Sequence, residues 1–273
     1  MKLRYFLFVI LLGYGNLFAA QVDTITVFSE KMQKDIKTVI VSPSNASKAK
    51  FPTLYLLHGH GGNHASYLKQ VNDLERLVDR YQFLVVCPDG GFDSWYWDTE
   101  SDSKFQYETF VSKELVDHIN ANYPVYDAPH YRAISGFSMG GHGALYLAIR
   151  HQDIFGVVGS TAGGVDIRPF PDNWGMAKRL GKIAENHDKW EKHTVINLLH
   201  LIDSKSLKIF IDCGRNDFFY DVNNKLHEKL TYLNIAHHYH LMPGQHNWEY
   251  ASKSLNYQFA FFEEAFRGVE NHE

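Results

Sequence analysis

The rhythm of hydrophobic and polar positions changes near residue 50. Before it, residues 22–28 and 36–41 are short β-rich runs, and Ser42-Pro43-Ser44-Asn45 is a turn cluster. These runs predict two antiparallel strands. After it, short β-rich runs alternate with longer stretches of helical spacing. The runs lie at 53–57, 83–87, 132–135, 156–159, 207–211 and 236–242. Apolar residues recur at helical intervals through Leu68, Val71, Leu74, Leu77 and Val78, through Phe110, Val111, Leu115, Val116 and Ile119, and along 257–266. Strands joined by helical crossovers build an α/β fold, so the pattern predicts a mostly parallel sheet of about eight strands flanked by helices. Between 163 and 206 the alternation lapses, and the stretch reads either as a small helical cap or as a long crossover.

The first twenty residues stand apart from this pattern. Lys2 and Arg4 precede an apolar run at 5–12, and Ala19-Ala20 offers small residues for cleavage. This is the layout of a Sec-type signal peptide, and the run falls short of the ~20 residues a spanning helix needs. The expectation is a secreted or periplasmic protein with no membrane anchor after cleavage, and no cysteine sits at the cleavage point to carry a lipid. With 273 residues, of which 45% are hydrophobic and 21% charged, the remainder at 21–273 reads as one domain. A net charge of -4 with scattered lysine and arginine gives no basic stripe for nucleic acid. Cys87 and Cys213 fall at the ends of separate predicted strands, which points to two buried free thiols rather than a disulfide framework.

Candidate chemistry begins at Gly136-Phe137-Ser138-Met139-Gly140. This G-x-S-x-G run follows a predicted strand and precedes a helix-compatible run at 144–149, the setting of a sharp turn that lifts a serine hydroxyl out of the sheet. A serine hydroxyl is a weak nucleophile and needs an imidazole to take its proton. The fold that carries this turn orders its partners serine, acid, histidine. Asp217 is the loop aspartate after the strand ending at Ile211, whereas Asp212 is still nearly in the strand and Asp221 suits a helix N-cap. Among sixteen histidines, His246 alone stands in the loop between the last strand and the final helix. Ser138, Asp217 and His246 are therefore the expected catalytic residues.

Negative charge on an attacked carbonyl needs backbone N–H donors. Met139, next to the nucleophile, supplies one, and His60, in the glycine-rich run His58-Gly59-His60-Gly61-Gly62, is expected to supply the other. His58, His60 and His64 also invite a zinc reading, but no carboxylate or cysteine stands nearby to complete a site. No metal or cofactor is expected. Phe92, Trp95, Tyr96 and Trp97 lie just past a strand's carboxyl end, where open α/β sheets bind ligands. Their flat faces suit a sugar ring or a phenolic acyl group, although such rings serve equally well to pack beneath a loop.

Residues 56–63, 136–145 and 244–248 resemble the three motifs of the esterase D branch of the α/β hydrolases. That branch includes tributyrin esterases, the feruloyl and acetyl esterases of carbohydrate esterase family one, S-formylglutathione hydrolases and mycolyltransferases. Residues 138–145 are close to the S-formylglutathione hydrolase version, but the loop at 58–62 departs from it and the signal segment argues against a glutathione thioester. Residues 95–98, with Pro88-Asp89-Gly90-Gly91 before them, look more like secreted tributyrin and polysaccharide-directed esterases. The resemblance implies hydrolysis of short or aromatic acyl esters, acetyl or feruloyl groups on sugars among them, through an acyl-serine intermediate. Trp95, Tyr96, Trp97 and Trp248 are the expected substrate-binding residues. Two rival readings are acyl transfer to a sugar or lipid hydroxyl, and an inactive carbohydrate-binding or interaction protein on the same scaffold.

Overall fold

The computed structural model describes residues 20–44, 50–203 and 207–270, and residues 1–19 of the signal-like segment lie outside them. Eight strands form one sheet in the order β1-β2-β4-β3-β5-β6-β7-β8. They are β1 (Gln21–Ser29), β2 (Lys34–Ser42), β3 (Thr53–Leu57), β4 (Leu84–Pro88), β5 (Arg132–Gly136), β6 (Val157–Thr161), β7 (Lys208–Gly214) and β8 (His238–Met242). β1 and β2 pair antiparallel, β2 joins β4 antiparallel, and β3 to β8 run parallel.

The two-residue period of each central strand divides the core between the two faces of the sheet. In β3, Tyr55 and Leu57 join one apolar cluster while Leu54 and Leu56 join the other. The first cluster lies under α3 (Tyr107–Thr109), α4 (Leu115–Asn122), α5 (Met139–Arg150) and α8 (Tyr220–Tyr232), and a π-helical turn at Phe110–Glu114 makes α3 and α4 continuous. The second lies under α1 (Ser66–Gln70), α2 (Leu74–Tyr81) and α9 (Trp248–Glu270), where Phe83 stacks on Phe259 with centroids 5.5 Å apart.

The stretch after β6 is a crossover to β7 and carries two short helices, α6 (Met176–Leu180) and α7 (His187–Lys192). Met176, Leu180, Trp190 and Leu199 pack into the first cluster, so this segment shares the main core instead of enclosing one of its own. Local expectations shift at several element ends: β6 runs Val157–Thr161 rather than 156–159, and β7 runs Lys208–Gly214 rather than 207–211. The fourth strand begins at Leu84 rather than Phe83, and β8 begins at His238, leaving Ala236 and His237 in the approach to it. Asp221 sits inside the first turn of α8 rather than capping it, because the helix begins at Tyr220. Cys87 and Cys213 are buried free thiols.

Candidate active site

The functional side chains all stand past the carboxyl ends of parallel strands, where turns are free to present them. β5 ends at Gly136 and α5 begins at Met139, which leaves two residues to reverse the chain. Ser138 makes the turn at φ 62° and ψ -119°, a conformation costly to a residue with a Cβ. Three backbone bonds hold it there. Its N–H donates to Thr161 O at 3.0 Å, Gly140 N–H donates to Phe137 O at 2.9 Å and His142 N–H donates to Ser138 O at 3.0 Å. Glycine at 140 is obligatory, since a Cβ would run into the Leu57 carbonyl.

His246 is placed by the loop between β8 and α9. Its Nε2 accepts from the Ser138 hydroxyl at 2.8 Å, and its Nδ1 donates to Asp217 Oδ2 at 2.8 Å. The Asp217 side chain is wholly buried, and its second oxygen accepts Phe219 N–H at 2.8 Å, so both oxygens are oriented. The imidazole lies between two rings, Phe218 with centroids 4.1 Å away and Phe137 at 4.7 Å. This hydrogen-bonded line, serine to imidazole to carboxylate, can move a proton off the hydroxyl while the aspartate fixes the tautomer.

The loop after β3 passes directly over Ser138. A Cβ on Gly59 would stand 3.3 Å from Ser138 Cβ. Gly61 N–H is taken by Phe92 O at 2.8 Å and Gly62 N–H by Gly59 O at 3.0 Å. Among the described residues the N–H groups of His60 and Met139 have no such acceptor, and Met139 opens α5, where the helix dipole favours negative charge. His58 braces this loop from below: its Nε2 accepts Gly90 N–H at 2.8 Å and its Nδ1 donates to Gly59 O at 2.8 Å. Burial holds its pKa below the ordinary histidine value, and with both nitrogens engaged neither is left for a metal. Among the described residues no three potential ligands cluster.

A cleft of about 480 Å³ opens above Ser138. Its lining combines the polar side chains of Asn63, Ser66 and Lys69 with the rings of Trp174, Phe218 and Trp248. Trp174 and Phe218 stack at 5.4 Å with planes 20° apart, and Phe218 is 50% exposed.

The Esterase family model matches residues 29–264. The chain belongs to the esterase family. The acetyl esterase of Caldicellulosiruptor saccharolyticus is 26% identical over 253 residues, covering 85% of this chain and 94% of the relative. The S-formylglutathione hydrolase of Rattus norvegicus is 26% identical over 211 residues, 70% and 73% of the two chains. Among solved structures, a ferulic acid esterase superposes with a TM-score of 0.78 at 26% identity, covering 91% of this chain and 99% of its own.

In this esterase three of the expected substrate contacts must be corrected. Trp95, Tyr96 and Trp97 are 1%, 0% and 0% exposed and stay out of the cleft. Each ring finds a polar partner where it is buried: Trp97 Nε1 donates to His142 Nε2 at 2.9 Å, the Tyr96 hydroxyl donates to His58 O at 3.0 Å and Trp95 Nε1 donates to Trp174 O at 3.1 Å. The slot for Tyr96 is left by Gly90 and Gly143, whose missing side chains would otherwise fill it. His142, locked between Trp97 and the Gly164 carbonyl, has its pKa pushed down to about 3 by burial. Trp248 does line the cleft. Trp174 and Phe218 were not anticipated. Phe218 carried a signal, as the residue next to Asp217, whereas Trp174 lies in the crossover, where periodicity was silent.

Proposed function

We propose that this esterase hydrolyses short-chain or aromatic acyl esters, with acetyl and feruloyl groups on sugars as the favoured class, through an acyl intermediate on Ser138. The observation that carries the reading is the pair of 2.8 Å bonds linking Ser138, His246 and Asp217 at a cleft lined by both aromatic and polar side chains. Ser138 Oγ attacks the carbonyl carbon while His246 Nε2 takes its proton, and Asp217 steadies the imidazolium. The carbonyl oxygen gathers charge against the N–H groups of His60 and Met139. When the intermediate collapses, the ester C–O bond breaks and His246 returns the proton to the departing alcohol. Water then repeats the sequence on the acyl-serine, releasing the acid and restoring the hydroxyl.

The acyl and alcohol preferences are read from the lining residues. A planar acyl group fits the Trp174–Phe218 face, and a sugar alcohol fits Asn63, Ser66 and Lys69. Similarity to an acetyl esterase and a ferulic acid esterase supports the same class. We propose export to the periplasm or medium on the composition of residues 1–20 alone. The testing experiment is a panel of p-nitrophenyl esters beside acetyl and feruloyl sugar esters, with alcohol acceptors added in a parallel set. Sugar esters should be cleaved with the highest kcat/KM, and products should partition to water. Dominant transfer to the added alcohol, or no turnover of any ester, would overturn the proposal.

A further inference from the structure

Behind the nucleophile lies a buried polar cluster that the reaction above does not use. Its centre is Asp212 on β7, which is 0% exposed. One oxygen, Oδ2, accepts three bonds: from Ser254 Oγ at 2.6 Å, from Gln258 Nε2 at 2.9 Å and from Thr161 Oγ1 at 3.1 Å. Gln258 Nε2 also donates to Thr161 Oγ1 at 2.7 Å, and Gln258 Oε1 accepts the Ser135 hydroxyl. Ser135, Thr161, Ser254 and Gln258 are each at most 4% exposed. Glycine is required at 159, where a Cβ would meet Gln258 Oε1.

The partners of this carboxylate come from the elements that carry the relay. Thr161, through its carbonyl, accepts the Ser138 N–H, and Ser135 stands three residues before the nucleophile on β5. Asp212 itself precedes Asp217 on the same strand and loop. Ser254 and Gln258 belong to α9, the helix that begins two residues after His246. We propose that Asp212 is a positioning residue, a hub that ties the nucleophile turn, the acid loop and the helix that follows the histidine loop into one geometry. The proposal rests on Ser138, Asp217 and His246 forming the catalytic relay.

A buried carboxylate is a costly way to hold three elements together if holding them is all it does. Burial pushes the Asp212 pKa up to about 6 even against the hydrogen bonds of Ser254, Gln258, Thr161 and Tyr250. Its other oxygen, Oδ1, lies beside the Tyr250 hydroxyl of α9, which adds a further donor to the carboxylate. The remaining titratable neighbours are Cys213 on its own strand, Tyr67 on α1, and Tyr239 and His240 on β8, His240 being its register partner. None of these supplies a positive charge held against the carboxylate, so the ionised form persists through its donors alone. A proton taken up on Oδ1 leaves Oδ2 able to accept but removes the charge that strengthens the bonds converging on it, and so weakens the hub even though it relieves the cost of burying that charge.

The test is Asp212→Asn in the full chain, with Ser254→Ala as the milder variant that keeps the carboxylate and deletes one donor. Kinetics on p-nitrophenyl acetate should show kcat lowered about tenfold by Asp212→Asn and less by Ser254→Ala, with KM unchanged and the melting temperature at pH 7.5 no lower than wild type. Below pH 6 the acid limb of kcat in the wild type should be steeper than one ionisation allows, and should return to unit slope in Asp212→Asn. Wild-type kcat in both variants, or unit slope in the wild type, would overturn the proposal. So would a loss of kcat that only tracks a loss of folded protein. Ser138→Ala, assayed alongside, separates the two ideas: turnover surviving in it removes the relay and the hub together, whereas turnover lost there but intact in Asp212→Asn removes the hub alone.

Discussion

Ser138 occupies a backbone conformation that an unconstrained serine avoids, and the strain persists because its own N–H, its own carbonyl and the next turn of α5 are all bonded. At this scale the sequence was most legible where chemistry depends on one residue type at one place. The glycines at 136 and 140 and the loop positions of Asp217 and His246 could be read directly, since only those positions lie past a strand end in the required order. The aromatic residues could not. Trp95, Tyr96 and Trp97 have the same composition whether they face a ligand or the core, and what receives them inside is a set of partners, His142 and the carbonyls of His58 and Trp174, that are remote in sequence. Their place at the cleft is taken by Trp174 and Phe218. Replacing Trp174 with alanine should lower kcat/KM for a feruloyl ester by roughly tenfold relative to an acetyl ester, the equivalent of ~1.4 kcal/mol of lost contact. The ratio of the two specificity constants measures this directly, and an unchanged ratio would assign the acyl group to other lining residues.

Elements reach the site through close approaches that only glycine permits. α5 crosses β3 so tightly that a Cβ on Gly140 would overlap the Leu57 carbonyl, a backbone atom that cannot step aside. Gly140→Ala should therefore cost several kcal/mol, of the order seen for overpacked cores, and yield little folded protein by circular dichroism. Gly59→Ala is a different case. Its Cβ would meet Phe137 O at 3.2 Å and Ser138 Cβ at 3.3 Å, distances that a shift of a few tenths of an ångström relieves. That variant should fold and melt close to wild type while kcat falls about tenfold or more, because the loop carrying the His60 N–H is displaced from the reacting oxygen. Equal activity in Gly59→Ala and wild type would remove this loop from charge stabilisation. The strand and helix order was legible because the two periodicities are strong here, while the crossover after β6 was not, since its short helices bury Trp190 and Leu180 without a regular repeat.

Over the whole molecule, two buried groups set opposing responses to acid. His142 stays neutral in the fold with its pKa at about 3, whereas the unfolded chain protonates it near the ordinary 6.5, so stability falls as pH drops below 6.5. Over the full window this amounts to roughly 5 kcal/mol. Asp212 works the other way. Its folded value of about 6 lies above the ordinary 3.8, so the fold takes up a proton first and gains stability as pH falls from 6 towards 3.8. Removing that gain in Asp212→Asn should make the variant lose stability more steeply than wild type between pH 6 and pH 4, as read from denaturant midpoints across the range. Parallel curves would mean that Asp212 titrates at its ordinary value. None of this was legible beforehand, because burial of a histidine and an aspartate depends on what packs over them. The most direct test of the catalytic account is the intact mass of the protein quenched in acid during turnover of a slow aromatic ester, followed by peptide mapping. A relay built on Ser138 gives one acyl group per chain, attached to the peptide that contains Ser138 and absent from Ser138→Ala. Turnover at the wild-type rate in that variant, or an acyl group on any other residue, would contradict it.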